Sequence, residues 1–313
     1  MISAPFDFDR VEVRDVSRHF GRRRALAHVT MDLHAGELTG LFGPNGAGKS
    51  TLLSVLSTLM SPSGGSVTYG GRLGRDLGDG LRGRIGMLGH DLFLYADLTA
   101  RENLEFFGRL YGLDDVATRA RAALAAARLE DRADDRVSSF SRGMRQRLAL
   151  ERAILHGPRL VLLDEPFTGL DPVSADSIRG AILEMRQRGC TVILSTHDMG
   201  VAESLCDSIL MIFRGKKVLD GSLASIQASY GSDTIRVEIE DGMSALANLP
   251  GIERINDMGR VQELRMAERC DPQQVLQTLA ARTRVTSFSV VQPSLHDIFV
   301  RIAGPQPQEA HVV

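Results

Sequence analysis

The sequence predicts an α/β protein: a mixed sheet with an inserted helical subdomain, followed by a small α+β domain. Three observations predict this class. Short apolar strands alternate with helices over residues 160–213, which is typical of a parallel sheet covered by helices. An all-helical block at residues 91–158 interrupts the strands. After residue 230 the order of elements becomes β-α-β-β-α-β, the order of a ferredoxin-like unit.

The first 90 residues are predicted to be mostly strands. Two strand patterns, at residues 11–20 and 25–33, are separated by a turn. A short apolar strand, Leu38–Phe42, then runs into a glycine-rich segment and a helix to about Met60. Two further strands are expected at residues 66–69 and 85–88, and residues 70–83 between them read as a loop with at most a short helix.

Capping residues indicate where the helices of the inserted block begin. Thr99 and Ser141 are suited to cap helices at residues 99–111 and 141–155. An alanine- and arginine-rich helix is expected at residues 116–128. Strands return at residues 160–163, 191–195 and 208–213, with helices between them at residues 172–188 and 199–205.

The pattern changes again near residue 230, which predicts a domain boundary. Strands are expected at residues 234–239, 252–255, 261–266 and 285–291, and helices at residues 243–247, 272–282 and 294–302. We therefore expect a first domain at residues 1–229, an accessory α+β domain at residues 230–303 and a flexible tail at residues 304–313.

Composition excludes several classes of protein. Hydrophobic residues make up 43% and charged residues 24%, which rules out disorder over most of the length. The net charge of −2 gives no basic nucleic-acid arm, so no nucleic-acid partner is expected. No apolar run is long enough to span a bilayer. The three cysteines form no CxxC pair, which disfavours a zinc site or a disulfide framework and favours a cytoplasmic location.

A complete phosphate-binding loop follows the apolar strand at Leu38–Phe42. It reads Gly43-Pro44-Asn45-Gly46-Ala47-Gly48-Lys49-Ser50-Thr51. Glycines let the backbone approach phosphate oxygens closely, and the following helix adds free N–H groups and its positive dipole end. Lys49 supplies a cation for the β- and γ-phosphates, and the Ser50 hydroxyl is a ligand for Mg²⁺. No lysine stands in the guanine-reading sequence Asn-Lys-x-Asp, so a GTPase is disfavoured.

Two adjacent carboxylates end the apolar strand at residues 160–163. Buried strands rarely end in paired acids unless a cation is bound or a proton is transferred there. Asp164 is therefore expected to hold Mg²⁺ through water, and Glu165 to polarise the water that attacks the γ-phosphate. Two solvated acids at a strand end remain the alternative interpretation.

Five ordered motifs resemble those of the ATP-binding subunit of ABC transporters. They are the phosphate loop, Phe140-Ser141-Arg142-Gly143-Met144-Arg145-Gln146-Arg147-Leu148, Leu163-Asp164-Glu165-Pro166, Thr168-Gly169-Leu170-Asp171 and Ser195-Thr196-His197-Asp198. The resemblance covers about residues 11–220 and implies an ABC ATPase core of the phosphate-loop class, in which residues 91–158 form the helical subdomain.

The resemblance also implies a pair of subunits that face head to tail with two ATP molecules between them. Ser141 and Gly143 would then meet the γ-phosphate bound by the opposite subunit. Asp171 would be the carboxylate that reaches across the interface. His197 would bond the γ-phosphate and the attacking water, and Phe20 would stack on adenine.

The chain departs from the family pattern at two motifs. The signature sequence is usually Leu-Ser-Gly-Gly-Gln, whereas Arg142 and Met144 stand here in its third and fifth places. Arg142 is either a solvated helix-cap residue or an extra phosphate contact. At His90 the family normally has a glutamine that reaches Mg²⁺ and the attacking water, and histidine also occurs there in haem-exporter-like ATPases. The resemblance assigns both the metal role and the catalytic role to His90.

The end of the chain resembles one group of exporters. Gln292-Pro293-Ser294-Leu295-His296-Asp297-Ile298-Phe299-Val300-Arg301 is similar to the Ser-Leu-Glu-Asp-Val-Phe ending of drug-resistance and polysaccharide exporter ATPases. We therefore expect an ATP-hydrolysing subunit, paired with a second copy, that powers a separate transmembrane permease from the cytoplasmic face of the membrane. The alternatives are an ABC-type ATPase not coupled to transport and a nucleotide-dependent regulator.

Overall fold

The computed structural model describes residues 6–230, 233–240, 242–267 and 270–304. The predicted flexible tail lies outside the described residues, except for Gly304. The chain divides into two compact units, one that ends at Gly221 and one that begins at Ser222. Among the described residues, none of the helices combines the length and the apolar character needed to cross a bilayer.

The first unit contains ten strands and seven α-helices within its described residues. The strands are β1 (Arg10–Phe20), β2 (Arg23–His34), β3 (Leu38–Phe42), β4 (Gly64–Tyr69), β5 (Arg72–Leu73), β6 (Ile85–Leu88), β7 (Leu160–Asp164), β8 (Thr191–Thr196), β9 (Ser208–Phe213) and β10 (Lys216–Ser222). The helices are α1 (Lys49–Leu56), α2 (Gly78–Arg82), α3 (Ala100–Leu110), α4 (Val116–Ala126), α5 (Arg142–Ile154), α6 (Pro172–Gln187) and α7 (Met199–Leu205). The predicted caps are confirmed, since Thr99 caps α3 and Ser141 caps α5.

Two sheets organise this unit. The larger has the order β10-β9-β3-β8-β7-β6, in which β9, β3, β8, β7 and β6 pair in parallel. The smaller is antiparallel, with the order β2-β1-β4-β5. Alternate residues of β7 and β8 enter different apolar clusters, one with α1 and the smaller sheet and one with α5 and α6. Cover on both faces explains why these strands are apolar throughout.

The register of the parallel strands places the functional motifs at one edge. Phe42 pairs with Thr196, and Asp164 pairs with Ser195. The carboxyl ends of β3, β7 and β8 therefore lie side by side. The phosphate loop, the paired carboxylates and His197 all follow directly from these ends, where α/β sheets usually bind their ligands.

The second unit is a separate α+β fold. Its elements are α8 (Leu223–Tyr230), β11 (Thr234–Ile239), β12 (Ile252–Asp257), β13 (Gln262–Met266), α9 (Pro272–Arg282), β14 (Val285–Val291) and α10 (Leu295–Ala303). The sheet is antiparallel in the order β12-β13-β11-β14, the arrangement of a ferredoxin-like unit. One face packs against α9 around Ile235, Val237 and Leu264. The helix predicted at residues 243–247 is a 3₁₀ helix, Gly242–Leu246.

Some predicted boundaries differ from the structure for local reasons. Helix α1 ends at Leu56 instead of near Met60, because Thr58 has a left-handed backbone with φ of 62°. Lys216 and Lys217 read as turn residues, yet they belong to β10. The turn is formed by Arg214 and Gly215, which both have positive φ angles. Strand β10 and helix α8 have no counterpart in the predicted elements.

The packing of α8 bears on the expected domain boundary at residues 229–230. Helix α8 belongs to the second unit, where Gln227 Nε2 donates to the Pro293 carbonyl oxygen at 3.0 Å. The Arg301 guanidinium lies 5.8 Å from the centre of the Tyr230 ring. These contacts explain why the division between the units precedes α8.

Helix α5 buries a carboxyl group that makes stability depend on pH. Glu151 is only 8% exposed. Burial, with help from the Glu184 carboxylate and against the opposing effect of Arg188, raises the pKa of Glu151 to about 7. The unfolded chain releases this proton near pH ~4.3. Between these two pH values the native chain keeps a proton on Glu151 that the unfolded chain has released. The free energy of unfolding should therefore fall as the pH rises from about 4.3 to 7.

We therefore expect Glu151→Gln to flatten this pH dependence and to raise the free energy of unfolding at pH 8. The charged carboxylate costs roughly 4 kcal/mol above pH 7, and a neutral amide avoids that cost. Denaturant unfolding between pH 5 and 8 measures the effect, with the exposed Glu130→Gln as the control. Parallel pH curves for Glu151→Gln and the unmodified chain would contradict the assignment.

Candidate nucleotide-binding site

The phosphate loop joins buried strand β3 to helix α1 and is held tightly against its neighbours. A Cβ on Gly43 would lie 2.2 Å from the Ile212 carbonyl oxygen, and one on Gly48 would lie 2.6 Å from the Ala25 carbonyl oxygen. Both glycines have positive φ angles, 148° and 116°. Only glycine satisfies both constraints, so the loop's path depends on these two positions.

Lys49 is the first residue of α1 and is almost completely buried. Its ammonium donates to the carbonyl oxygens of Gly43 at 2.7 Å and Pro44 at 3.4 Å. It also lies 3.6 Å from Glu165 Oε1. The loop's own carbonyl groups therefore hold the cation beside the free N–H groups that begin α1.

The paired carboxylates have different partners. Asp164 Oδ1 accepts a short hydrogen bond from Ser195 Oγ. Glu165 Oε2 accepts from Thr168 Oγ1 at 3.1 Å and lies 2.9 Å from His197 Nδ1, which donates when it carries the proton. Within the described residues, the buried Oε1 of Glu165 has no hydrogen-bond partner. One oxygen of Glu165 is thus anchored, and the other remains available as an acceptor.

A cavity of about 390 Å³ brings most of the predicted site residues together. Its predicted lining residues are Phe20, Pro44, Asn45, Gly46, Gly48, Lys49, Ser50, Thr51, His90, Asp164 and Glu165. Phe20 is 45% exposed, and the Arg18 guanidinium lies 4.9 Å from the centre of its ring. The cavity therefore has an aromatic surface at one part of its wall and a phosphate loop at another.

The sequence does not predict two of the lining residues, Arg23 and Ala25. They belong to β2, which pairs with β1 so that Arg23 lies opposite Phe20. The run Arg22-Arg23-Arg24 after Phe20 was the available signal. It could not show which of the three side chains faces the site, because that depends on the β1–β2 register.

Ser141, Gly143 and Asp171 do not line this cavity; they lie where α5 and α6 begin. Ser141 Oγ accepts from the Met144 N–H at 3.2 Å. Asp171 accepts from the N–H and the hydroxyl of Ser174 at 3.0 and 2.7 Å, and these bonds hold its pKa below the usual value. A Cβ on Gly143 would lie 2.6 Å from Ser174 Oγ. The two helix starts therefore pack directly against each other.

Arg142 lies beside the same pair of helix starts. Its side chain is exposed, and its guanidinium carbon lies 2.8 Å from where a Cβ on Gly169 would stand. Gly169 has a left-handed backbone with φ of 71°. Glycine at this position thus leaves room for Arg142 to rest on the Thr168–Asp171 turn.

Two family models match the chain. The ABC transporter family matches residues 26–168, and the C-terminal domain of DrrA1-3-like ATP-binding proteins matches residues 221–303. The two matches agree with the predicted core and with the predicted kind of accessory domain.

Individual relatives are similar over nearly the whole chain. The linearmycin resistance ATP-binding protein LnrL of Bacillus subtilis is 31% identical over 94% of this chain and 98% of its own length. The Nod factor export ATP-binding protein I of Burkholderia lata is 33% identical over 98% of this chain and 99% of its own length. A dimeric structure of the ATP-binding cassette MJ0796 with ADP and Pi is 29% identical, covers 68% of this chain and 98% of its own, and has a TM-score of 0.63. The chain belongs to the ATP-binding proteins of ABC transporters.

Proposed function

We propose that this chain binds ATP together with Mg²⁺ and hydrolyses it to drive a separate membrane permease. The observation that carries the proposal is one cavity with three chemically distinct parts. Phe20 offers a ring face for a base, the loop at Lys49 offers donors for phosphates, and Asp164 and Glu165 offer carboxylates beside it. A nucleoside triphosphate with a divalent cation needs all three.

The magnesium site would be formed by Ser50 and Asp164. A hydroxyl and a carboxylate both line the cavity, and Mg²⁺ usually combines such ligands with substrate phosphates and water. The hydrogen bond from Ser195 orients the Asp164 carboxylate. When bound, Mg²⁺ would neutralise charge on the β- and γ-phosphates. His90 is an exposed residue of the same wall and would reach the metal and the attacking water.

Glu165 would act as the general base. Its Oε2 is fixed by Thr168 and His197, whereas its buried Oε1 can accept a proton from water. The Lys49 ammonium lies 3.6 Å from Oε1. His197 would hold the γ-phosphate and the water in line from its place beside Glu165.

A second copy of the chain would complete the site. Ser141, Gly143 and Asp171 lie together at the starts of α5 and α6, apart from their own chain's cavity. Helix N-termini bind phosphates well, so this surface suits the γ-phosphate held by a partner. The dimeric cassette structure at 29% identity supports such a pairing.

Metal removal tests the hydrolytic part of the proposal. We expect phosphate release from ATP by the full chain to fall to background when Mg²⁺ is chelated, and to return when Mg²⁺ is added in excess. Circular dichroism would verify that chelation leaves the fold intact. A rate that is unchanged without divalent cations would contradict the proposed Mg²⁺ role.

An exposed apolar patch is the proposed contact with the permease. It consists of Phe93, Tyr95, Phe106 and Leu110, which lie after His90 and on α3 and are 40–68% exposed. The rings of Tyr95 and Phe106 are 5.0 Å apart. Contiguous exposed apolar surface of this kind marks interaction sites. The relatives named for Nod factor export and linearmycin resistance support an exporter attached peripherally to the membrane.

We expect Leu110→Asp to weaken co-purification with the permease by at least about tenfold, because a charge within a buried contact is strongly unfavourable. Basal ATP hydrolysis should stay within about twofold of the unmodified rate, since Leu110 does not line the cavity. Leu59→Asp is the matched control, because Leu59 is 69% exposed and lies outside the patch. Equal recovery of the permease with both variants would contradict the docking proposal.

A further inference from the structure

Arg23 lines the nucleotide cavity but has no role in the mechanism described so far. It begins strand β2, directly after the turn that follows Phe20. Its Nη2 lies 3.6 Å from where a Cβ on Gly46 would stand, so the guanidinium lies beside the phosphate loop. The side chain therefore lies between the aromatic surface and the loop.

The start of β2 packs closely against the phosphate loop, and this packing fixes the backbone of Arg23 beside the loop. The Ala25 carbonyl oxygen approaches Gly48 so closely that a Cβ there would lie 2.6 Å away. Residues two apart in a strand point to the same face, and Arg23 and Ala25 both line the cavity. Arg22 and Arg24, its neighbours in sequence, do not line it.

The charge of Arg23 has no carboxylate partner within the part of the chain that the structure describes. Among the described residues, no carboxylate forms an ion pair or a hydrogen bond with it, whereas Arg10 and Arg14 on β1 both pair with Asp32. An exposed, uncompensated guanidinium beside a phosphate loop is suited to an anion. Its planar fork matches two phosphate oxygens at once, which a lysine cannot do.

We infer that Arg23 is a nucleotide-binding residue that donates hydrogen bonds to the triphosphate chain of ATP. The inference rests on the proposed ATP-binding function and adds a second basic side chain to the one that the phosphate loop supplies. Lys49 approaches the phosphates from within the loop, and Arg23 approaches them from the facing strand. Arg23 thus raises the affinity for the phosphates without recognising the base.

The test uses the full chain with Glu165→Gln, so that ATP is not consumed. Calorimetry measures the binding of ATP and of inorganic tripolyphosphate, each with Mg²⁺, in four further variants: Arg23→Ala, Arg23→Lys, Arg22→Ala and Arg24→Ala. We expect Arg23→Ala to weaken the binding of both ligands about tenfold, and Arg23→Lys to weaken it less. Arg22→Ala and Arg24→Ala remove the same charge outside the cavity and should change affinity less than about twofold.

Phe20→Ala separates contacts to the base from contacts to the phosphates. It should weaken the binding of ATP and leave the binding of tripolyphosphate unchanged, whereas Arg23→Ala should weaken the binding of both. The inference is overturned if Arg23→Ala matches Arg22→Ala, or if it weakens ATP alone. If the parent chain binds no ATP, or if Lys49→Ala binds it as tightly as the parent, the proposed function itself fails. Equal melting temperatures verify that each variant is folded.

Discussion

Glu165→Gln is expected to lower the rate of ATP hydrolysis by at least about 100-fold while ATP affinity stays within about twofold of the unmodified chain. The amide has nearly the same shape and can still interact with Thr168 and His197. It cannot take a proton from the attacking water, which is the role assigned to the buried Oε1, an oxygen without a hydrogen-bond partner among the described residues. The substitution should therefore lower the hydrolysis rate without changing ATP affinity.

Steady-state phosphate release and nucleotide titration measure the two effects. Glu130→Gln makes the same chemical change at an exposed position outside the cavity and should leave both unchanged. Equal hydrolysis rates for Glu165→Gln and the unmodified chain would favour a nucleotide-dependent regulator over an ATPase.

Lys49→Ala is expected to weaken ATP binding by at least about 100-fold, which corresponds to ~2.7 kcal/mol. The Lys49 side chain is only 7% exposed, and its ammonium is held by the Gly43 and Pro44 carbonyl groups at the position where the phosphates would lie. Its loss removes a buried cation from an anion site and leaves those carbonyl oxygens without their donor.

The chain offers a matched control for this variant. It contains only three lysines, and Lys216 is exposed on β10 and does not line the cavity. Lys216→Ala should bind ATP as the unmodified chain does. If Lys49→Ala retained full affinity while remaining folded, the phosphate loop would not be the triphosphate site.

The site's central parts were predictable because their signals are local. The strand at Leu38–Phe42, the phosphate loop and helix α1 are continuous in sequence, and the paired carboxylates directly follow β7. The parallel alternation of strands and helices was enough to bring these segments to one edge of a sheet. Phe20 and His90 depended on the family resemblance, because an isolated aromatic residue or histidine carries little signal.

Features set by strand register and tertiary packing were harder to predict. The choice among Arg22, Arg23 and Arg24 depends on how β1 pairs with β2. Strand β10 follows a turn that consists of Arg214 and Gly215, and its pattern of intermediate burial gives no clear alternation. Helix α8 has one buried residue, Ile226, so its packing against α10 leaves little trace in the hydrophobic pattern.

Sedimentation velocity of the Glu165→Gln chain tests the central claim most directly, namely that two copies enclose ATP between them. The chain has a mass of 34.1 kDa. We expect a monomer without nucleotide and a species of twice that mass with saturating ATP and Mg²⁺, whereas Lys49→Ala in the same background should stay monomeric. A monomer that binds ATP fully and never pairs would contradict the account.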